Sequence, residues 1–448
     1  MAGDEIPGVN VRALAAGALV LSCLTVSSAQ PLRVAPFLSY EQALPVFTAL
    51  GETPPAASGW NTWIAAADAS TRARVRQGDE SSIVNLILFG TSFTSQPRIT
   101  AQQLTPAQLR TAVSTRLDDF ERALAAPGTS ERLLYARSVL SGTAPVRPRL
   151  LAMIDRTIKE GETLARLTAE AERAGDPSLE FAERSRLYRG RGLASDTSLR
   201  VNFAVEEALR RVFPKGTARL RRVAIIGPGL DVADKEAGHD FYPPQTLQPF
   251  AVVDSLVRLG LADAESIQVT TLDVSARVNE HISGIGREGR VGTPYLVHTP
   301  LDGDVAWTPQ MLSYFGAFGE TVGRPVPVSV PPGVGRLRLR AISIRPAIAA
   351  RVSAQDVNIT AQYLPLSDAE RFDLIIGTNV FVYYDRLEQG MAMVSIARML
   401  RPGGALLSNN ALVEVPSAGM RSAGYSRTMY SDRAEDGDVM IWYQAGNK

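Results

Sequence analysis

The chain has 448 residues, of which 45% are hydrophobic and 21% charged, and its formal net charge is +1. This composition is typical of a soluble globular protein, and the length exceeds that of a usual single domain, so we expect two domains. Because a nucleic-acid surface needs clustered positive charge, the small net charge argues against a nucleic-acid partner.

The first 30 residues have the pattern of an export signal or a membrane anchor. Residues Ala13–Ala29 carry no charge, and the small residues Ser27–Ala29 suit signal-peptidase cleavage before Gln30. The cysteine at Cys23 also fits a lipoprotein cleavage box loosely, and the uncharged run falls just short of a spanning helix. We therefore expect a bacterial protein that is secreted, periplasmic or membrane-associated through residues 13–29. A cytoplasmic protein is the alternative, because two acidic residues near the start are unusual for a signal.

Residues 31–200 are predicted to form a mainly helical domain of unknown role. Thr105–Gln108 has the pattern of a capping box with proline at the first helical position, which marks the start of a helix. The apolar run Ile83–Phe89 indicates a buried element that could be helix or strand. Further helices are predicted near residues 130–141, 147–174 and 178–190.

From about residue 201 to the end, the pattern changes to that of an α/β sheet. Short apolar strands are predicted at Val223–Ile226 and Ile267–Leu272, with a helix at Thr246–Leu259 between them. Residues 284–335 are rich in glycine and proline and are predicted to be an irregular insertion that covers the site or moves. The chain is predicted to close with an antiparallel hairpin, Tyr425–Tyr430 and Asp438–Gln444.

The most informative stretch is Phe372–Asp385, which reads FDLIIGTNVFVYYD. A helix is predicted to begin at Asp385 with Glu388 completing a capping box, and a Pro-Gly turn and another apolar run follow it. This sequence of elements is typical of a strand, a crossover helix and a strand in a buried parallel sheet. Ligands of such sheets bind at the carboxyl ends of the strands, where Thr378, Asn379 and Tyr383 are expected to lie.

These pieces resemble the class I S-adenosylmethionine-dependent methyltransferases. Within that superfamily, the stretch FDLIIGTNVFVYYD, preceded by Asn358–Thr360, is most similar to the CheR-type glutamate methyltransferases that modify chemotaxis receptors. The resemblance covers about residues 200–448. It implies a Rossmann-like parallel sheet with a C-terminal antiparallel hairpin, S-adenosylmethionine as cofactor, and a methyl acceptor that the sequence does not identify.

The resemblance nominates four residues for the cofactor. Gly227 and Gly229 would let the backbone approach the methionine part, because a Cβ atom would obstruct it. Asp273, at the end of the second predicted strand, would accept hydrogen bonds from the ribose hydroxyls. Asn379 would hydrogen-bond the cofactor as the family's equivalent asparagine does.

Two tyrosines are candidates for the acceptor pocket, and no residue is nominated for catalysis or for a metal. Tyr383 and Tyr384 could shape the pocket, although tyrosines at such positions are as often part of the core or its cover. The glycine turn could equally be structural, and Asp273 could be a helix cap. The polar loop that contains Asp231 and Asp240 has no fixed ligand spacing, so we expect no metal site there.

Several departures from the family pattern leave more than one function open. Ile225 stands where the family usually has an acidic residue, and Asp231 stands where it has a third glycine. Thr360 or its neighbours replace the usual adenine-binding acid. The chain is therefore predicted to be either a methyltransferase or a non-catalytic methyltransferase-like binding or scaffold module at the cell envelope. A nicotinamide-dependent oxidoreductase is disfavoured, because Val232 replaces its third glycine and the terminal hairpin would be unexplained.

Overall fold

The computed structural model describes most of the chain after residue 33. The described residues are 34–99, 105–141, 145–174, 187–190, 192–214, 219–232, 240–303, 305–330, 338–433 and 436–446. They belong to one compact unit that spans Leu32–Lys448. Within these ranges no helix combines the length and apolarity needed to cross a membrane. The predicted signal or anchor in residues 1–30 lies outside the described residues.

Helices dominate the chain before residue 220. They are α1 (Tyr40–Leu50), α2 (Trp60–Phe89), α3 (Pro106–Ala125), α4 (Glu131–Leu140), α5 (Val146–Ala174) and α6 (Val201–Val212). The predicted capping box at Thr105 and Gln108 is confirmed at the start of α3. The ambiguous apolar run Ile83–Phe89 is the last part of α2, so it is helical. Of the predicted helix at 178–190, residues 187–190 are helical and the others lie outside the described residues.

The strands follow, with five further helices among them in the described ranges. The strands are β1 (Arg222–Ile226), β2 (Gln268–Asp273), β3 (Tyr295–Pro300), β4 (Gly323–Val326), β5 (Leu339–Ile344), β6 (Val352–Asp356), β7 (Phe372–Gly377), β8 (Leu400–Ser408), β9 (Met420–Met429) and β10 (Gly437–Ala445). The helices are α7 (Gln248–Arg258), α8 (Ala276–Arg290), α9 (Pro309–Ala317), α10 (Pro346–Ala349) and α11 (Arg386–Met399). The predicted capping box between Asp385 and Glu388 is confirmed at the start of α11.

The main sheet has seven strands in the order β6-β2-β1-β7-β8-β10-β9. The first five of these are parallel, and β10 runs antiparallel to both β8 and β9. All six residues of β7 are buried, as expected for a central strand that is covered on both faces. The Rossmann-like sheet, its antiparallel hairpin and the helical region that precedes it were all predicted from the sequence.

One expectation was wrong: the part of residues 284–335 that the structure describes is not an irregular insertion. Just over half of the described residues there form regular structure, because α8 continues to Arg290 and the strands β3 and β4 and the helix α9 follow. Strands β3 and β4 each pair antiparallel with β5, which gives a second, three-stranded sheet. Proline occurs in β4 itself, at Pro325, which is compatible with its place at the edge of this small sheet.

Candidate functional site

The carboxyl ends of β1, β2 and β7 lie side by side. Strand β1 stands between the other two, and its last residue, Ile226, is in register with Leu272 of β2 and Gly377 of β7. The residues that follow these strands therefore meet at one edge of the sheet, where ligands of open α/β sheets bind. A cavity at this edge is lined by all six predicted residues, namely Gly227, Gly229, Asp273, Asn379, Tyr383 and Tyr384.

The cavity is small, with a volume of about 60 Å³. This volume holds only a few water molecules, whereas sites for small organic ligands usually measure about 300–1,000 Å³. A larger open groove of about 1320 Å³ lies elsewhere, beside Arg371, Leu400 and Gly403. Those residues are at the amino ends of β7 and β8, and none of the predicted residues lines that groove. We therefore place the candidate site at the smaller cavity.

The two predicted glycines have the left-handed backbone that glycine favours, with φ values of +61° for Gly227 and +66° for Gly229. An ideal Cβ atom at Gly227 would lie 2.5 Å from Cγ2 of Val380, and one at Gly229 would lie 2.6 Å from the carbonyl oxygen of Ser195. Both positions therefore require glycine. The atoms that approach them here belong to the chain itself.

Asp273 ends β2, is half-buried and lines the cavity. Its Oδ1 accepts a hydrogen bond of 2.7 Å from the backbone N–H of Ser275. The side chain that caps α8 is Ser275, so Asp273 is not the helix cap. The pKa of Asp273 is raised to about 7, mainly by burial and to a smaller extent by the carboxylates of Asp356 and Asp79, against the opposing effect of the backbone hydrogen bonds from Ser275 and Val274.

Asn379 follows β7 and is the one non-glycine residue with positive φ, +59°, in the described part of the chain. Its backbone N–H donates to Oδ1 of Asn409 at 2.8 Å, and its own Oδ1 accepts from Nδ2 of Asn409 at 2.7 Å. Asparagine tolerates this backbone better than most residues, and such strained positions concentrate at functional sites. Its neighbour Thr378 is buried and accepts a hydrogen bond from Gln248 of α7, which ties that helix to the strand end.

Tyr383 and Tyr384 form a buried wall of the cavity. The ring of Tyr383 lies 5.5 Å from the ring of Tyr188. The backbone carbonyl oxygen of Tyr383 accepts a hydrogen bond from the guanidinium of Arg74. The guanidinium of Arg74 also lies 5.7 Å from the ring of Tyr384 and forms a 2.8 Å ion pair with Glu388. Burial raises the pKa of Tyr384 above its ordinary value, so its phenol stays protonated at neutral pH and is no general base.

The two residues that replace family residues, Asp231 and Thr360, form hydrogen bonds with side chains near them in sequence. Asp231, in place of a third glycine, is buried and accepts hydrogen bonds from the hydroxyl of Tyr242 at 2.9 Å and from Gln245 at 3.1 Å. Thr360 donates to Oδ1 of Asn358 at 2.8 Å. These two side chains hold their own loops.

Sequence reasoning missed the part of the site that comes from the first half of the chain. Val75 of α2 and the segment Leu193–Thr197 line the cavity together with the predicted residues. The only trace in the sequence is Gly192, which precedes that segment with a φ of +79°. A single glycine next to polar residues has no distinctive pattern, so the contribution becomes visible only in three dimensions.

Comparison with known proteins adds similarities to solved structures. No protein-family model matches the chain, and no curated protein matches it. The N-methyltransferase NodS from Bradyrhizobium japonicum WM9, in complex with S-adenosyl-L-homocysteine, has 12% identity over 56% of this chain and 90% of its own, with a TM-score of 0.26. The glycopeptide N-methyltransferase MtfA with sinefungin has 11% identity over 57% and 97%, with a TM-score of 0.27.

A third structure is the magnesium protoporphyrin IX methyltransferase ChlM from Synechocystis PCC 6803 with bound S-adenosylmethionine. It has 10% identity over 55% of this chain and 81% of its own, with a TM-score of 0.25. TM-scores of this size do not define a shared fold, so the fold and the site rest on the geometry of this chain.

Proposed function

We propose that this chain is an S-adenosylmethionine-dependent methyltransferase. The observation that carries the proposal is the meeting of a left-handed glycine turn, an acidic residue and an asparagine at the ends of three adjacent parallel strands. Numbered by chain position, the strands of the main sheet have the order 3-2-1-4-5-7-6. The dinucleotide-binding order is 3-2-1-4-5-6, so the antiparallel last strand inserted between the fifth and sixth argues for the methyltransferase resemblance over an oxidoreductase.

The proposed roles follow from the chemistry of the residues. The turn Gly227–Gly229 would admit the methionine part of the cofactor. Asp273, once ionised, would accept hydrogen bonds from the ribose hydroxyls, and Asn379 would hydrogen-bond the cofactor. Tyr383 and Tyr384 would form the wall on the acceptor side. The amino-acid sequence of Phe372–Asp385 supports a more specific proposal, that the methyl acceptor is a protein carboxylate as in the CheR-type enzymes.

The chemical types of the lining residues fit the cofactor, but the cavity of about 60 Å³ is too small to admit it in this conformation. This disagreement favours a second candidate, a methyltransferase-like binding or scaffold module that has lost the cofactor. A methyltransferase requires that the residues around the cavity can move apart and admit the cofactor, whereas a binding or scaffold module does not.

Calorimetry of the full-length chain with S-adenosylhomocysteine tests the proposal, and NADH serves as the competing ligand. We expect the first to bind and the second not to bind. Asp273→Ala should then weaken binding by about 1.5–3 kcal/mol, the usual value of a hydrogen bond to a charged group. The matched control is Asp263→Ala, at a partly exposed turn after α7, which should leave the affinity unchanged. Binding of NADH alone would contradict the proposal.

We also propose export or membrane association through residues 13–29. The proposal is supported by the uncharged run and the small residues at its end.

A further inference from the structure

The segment Leu193–Thr197, which we call the strap, is held from two sides. On one side, the backbone N–H of Leu193 donates to the carbonyl of Arg74 in α2 at 2.9 Å. On the other side, the carbonyl of Ser195 accepts from the backbone N–H of Leu230, just after the glycine turn, at 2.7 Å. The strap therefore bridges the helical half of the chain and the carboxyl end of β1.

Glycines let the strap come this close. An ideal Cβ atom at Gly78 of α2 would lie 1.8 Å from the carbonyl oxygen of Leu193, and one at Gly192 would lie 2.4 Å from Cβ of Gln77. At the other end, a Cβ atom at Gly229 would meet Ser195 at 2.6 Å. Since real Cβ atoms do not approach so closely, each of these contacts depends on a missing side chain. The strap fills the space that a side chain at Gly229 would otherwise take.

A few polar contacts lock the strap in place. Nδ2 of Asn85 in α2 donates to Oδ2 of Asp196 at 2.7 Å, and Asn85 is buried. Ser195 is also buried, and its hydroxyl oxygen has no hydrogen-bond partner among the described residues. A buried hydroxyl without a partner is costly, and this one lies in the wall of the candidate cavity.

The strap differs in kind from the other walls of the cavity. Residues 226–229, 272–275 and 378–380 are fixed by the strand ends of the central sheet, whereas the strap contributes only the isolated bridge between Asp196 and Leu230. Moving the sheet would break its core, whereas moving the strap breaks the polar contacts of a short segment and uncovers one core side chain, Leu193. The strap is thus the part of the cavity wall that can move away while the rest of the fold stays intact.

We propose that the strap holds the cavity shut in the free protein, and that an adenosine-containing ligand binds only after the strap has left both α2 and the turn Gly227–Leu230. This inference rests on the proposed function. A ligand that binds the open state alone has an apparent affinity reduced by the fraction of molecules that are open. Weakening the strap must therefore tighten binding, although the weakened contacts do not touch the ligand.

The test combines hydrogen exchange and calorimetry on the full-length chain, with S-adenosylhomocysteine as the probe. We expect the amides of Leu193 and Leu230 to exchange faster when the probe is added, because both are hydrogen-bonded only in the closed state. Asn85→Ala, which removes the bond to Asp196, should tighten the apparent Kd by about 3- to 10-fold.

A second variant and a control keep the test independent of one substitution. Gly192→Ala strains a backbone with φ +79° and crowds α2, so it should also tighten binding. The control is Gly128→Ala, where φ is +54° but no atom lies within 4 Å of the added Cβ. It carries a similar backbone strain away from the strap, and its Kd should equal that of the wild type.

The outcomes separate the strap from the proposed function. One outcome is that the wild type binds the probe, that the amides of Leu193 and Leu230 become better protected, and that the variants have the same Kd as the wild type. The strap is then a fixed wall and this inference is wrong, while the proposed function stands. If the wild type does not bind but the variants do, the strap is confirmed. If no protein binds although the amides of the variants exchange rapidly, the proposed function itself fails and the strap has no such role.

Discussion

Asp273 should make the protein less stable as the pH rises. Burial raises the pKa of its carboxyl from 3.8 to about 7 in the folded chain. The folded protein therefore holds this proton more tightly than the unfolded chain does, and between pH 4 and pH 7 the folded state binds more protons. Stability must fall as the pH rises through this window, because ionisation leaves a charge in an enclosed site.

The size of the effect follows from the shift. The shift from 3.8 to about 7 spans about 3 pH units, and each unit corresponds to 1.36 kcal/mol, so the upper bound is about 4 kcal/mol. Because Asp273 is only half-buried, solvent screens part of this, and we expect about 2 kcal/mol or more. Asp273→Asn removes the ionisation but keeps an oxygen that can accept the hydrogen bond from Ser275.

Urea unfolding at pH 5 and pH 8 measures the effect. Asp273→Asn should be more stable than the wild type at both pH values, and its advantage in the free energy of unfolding should grow from pH 5 to pH 8 by up to about 2.7 kcal/mol, because about 2 of the 3 pH units lie between pH 5 and pH 7. The control Asp263→Asn removes a partly exposed carboxylate and should show no such change between the two pH values. A difference between wild type and Asp273→Asn that does not change with pH would refute the reasoning, as would a variant that is less stable at pH 8.

Three further predictions concern the turn, the wall and the amino terminus. Gly227→Ala should lower the free energy of unfolding by more than the control Gly128→Ala, since only Gly227 adds a close contact to the backbone strain; equal losses in urea unfolding would contradict this. Arg74→Ala should lower the free energy of unfolding by about 2 kcal/mol, because it leaves the carboxylate of Glu388 without its ion-pair partner. Adding Glu388→Gln should recover part of this loss, and an unchanged midpoint of urea unfolding for Arg74→Ala would contradict the prediction. Intact mass of the protein from its native envelope should give a chain that begins near Gln30 or at a lipidated cysteine, whereas a full-length species that is soluble in the cytosol would end the export proposal.

The sheet could be predicted because its strands have unambiguous patterns. The run that became β7 is apolar except for Asp373, and its short length between polar and turn residues favours a strand buried on both faces. Asp273 ends β2, while Gly227 and Asn379 follow β1 and β7, so their meeting at one edge followed from topology alone.

The second sheet and the strap could not be predicted. Strand β4 contains Pro325 and lies in a stretch rich in glycine and proline, so local composition indicated a loop, although β3 and β4 each pair with β5 to form a sheet. The strap depends on the contacts of Gly78 with Leu193 and of Leu230 with Ser195, which are far apart in sequence. Local patterns carry no information about such contacts.

The position of the strap also bears on how the chain is synthesised. Arg74, its first partner, leaves the ribosome before it, whereas Leu230 follows Ser195 by 35 residues. The hydrogen bond from Leu193 to the carbonyl of Arg74 can therefore form while the sheet does not yet exist, and the bond from Leu230 must wait for β1. A fragment cut at residue 200 would have the strap without its turn, and the complementary fragment would expose the glycine turn to water. The two halves are thus expected to reach the native state together.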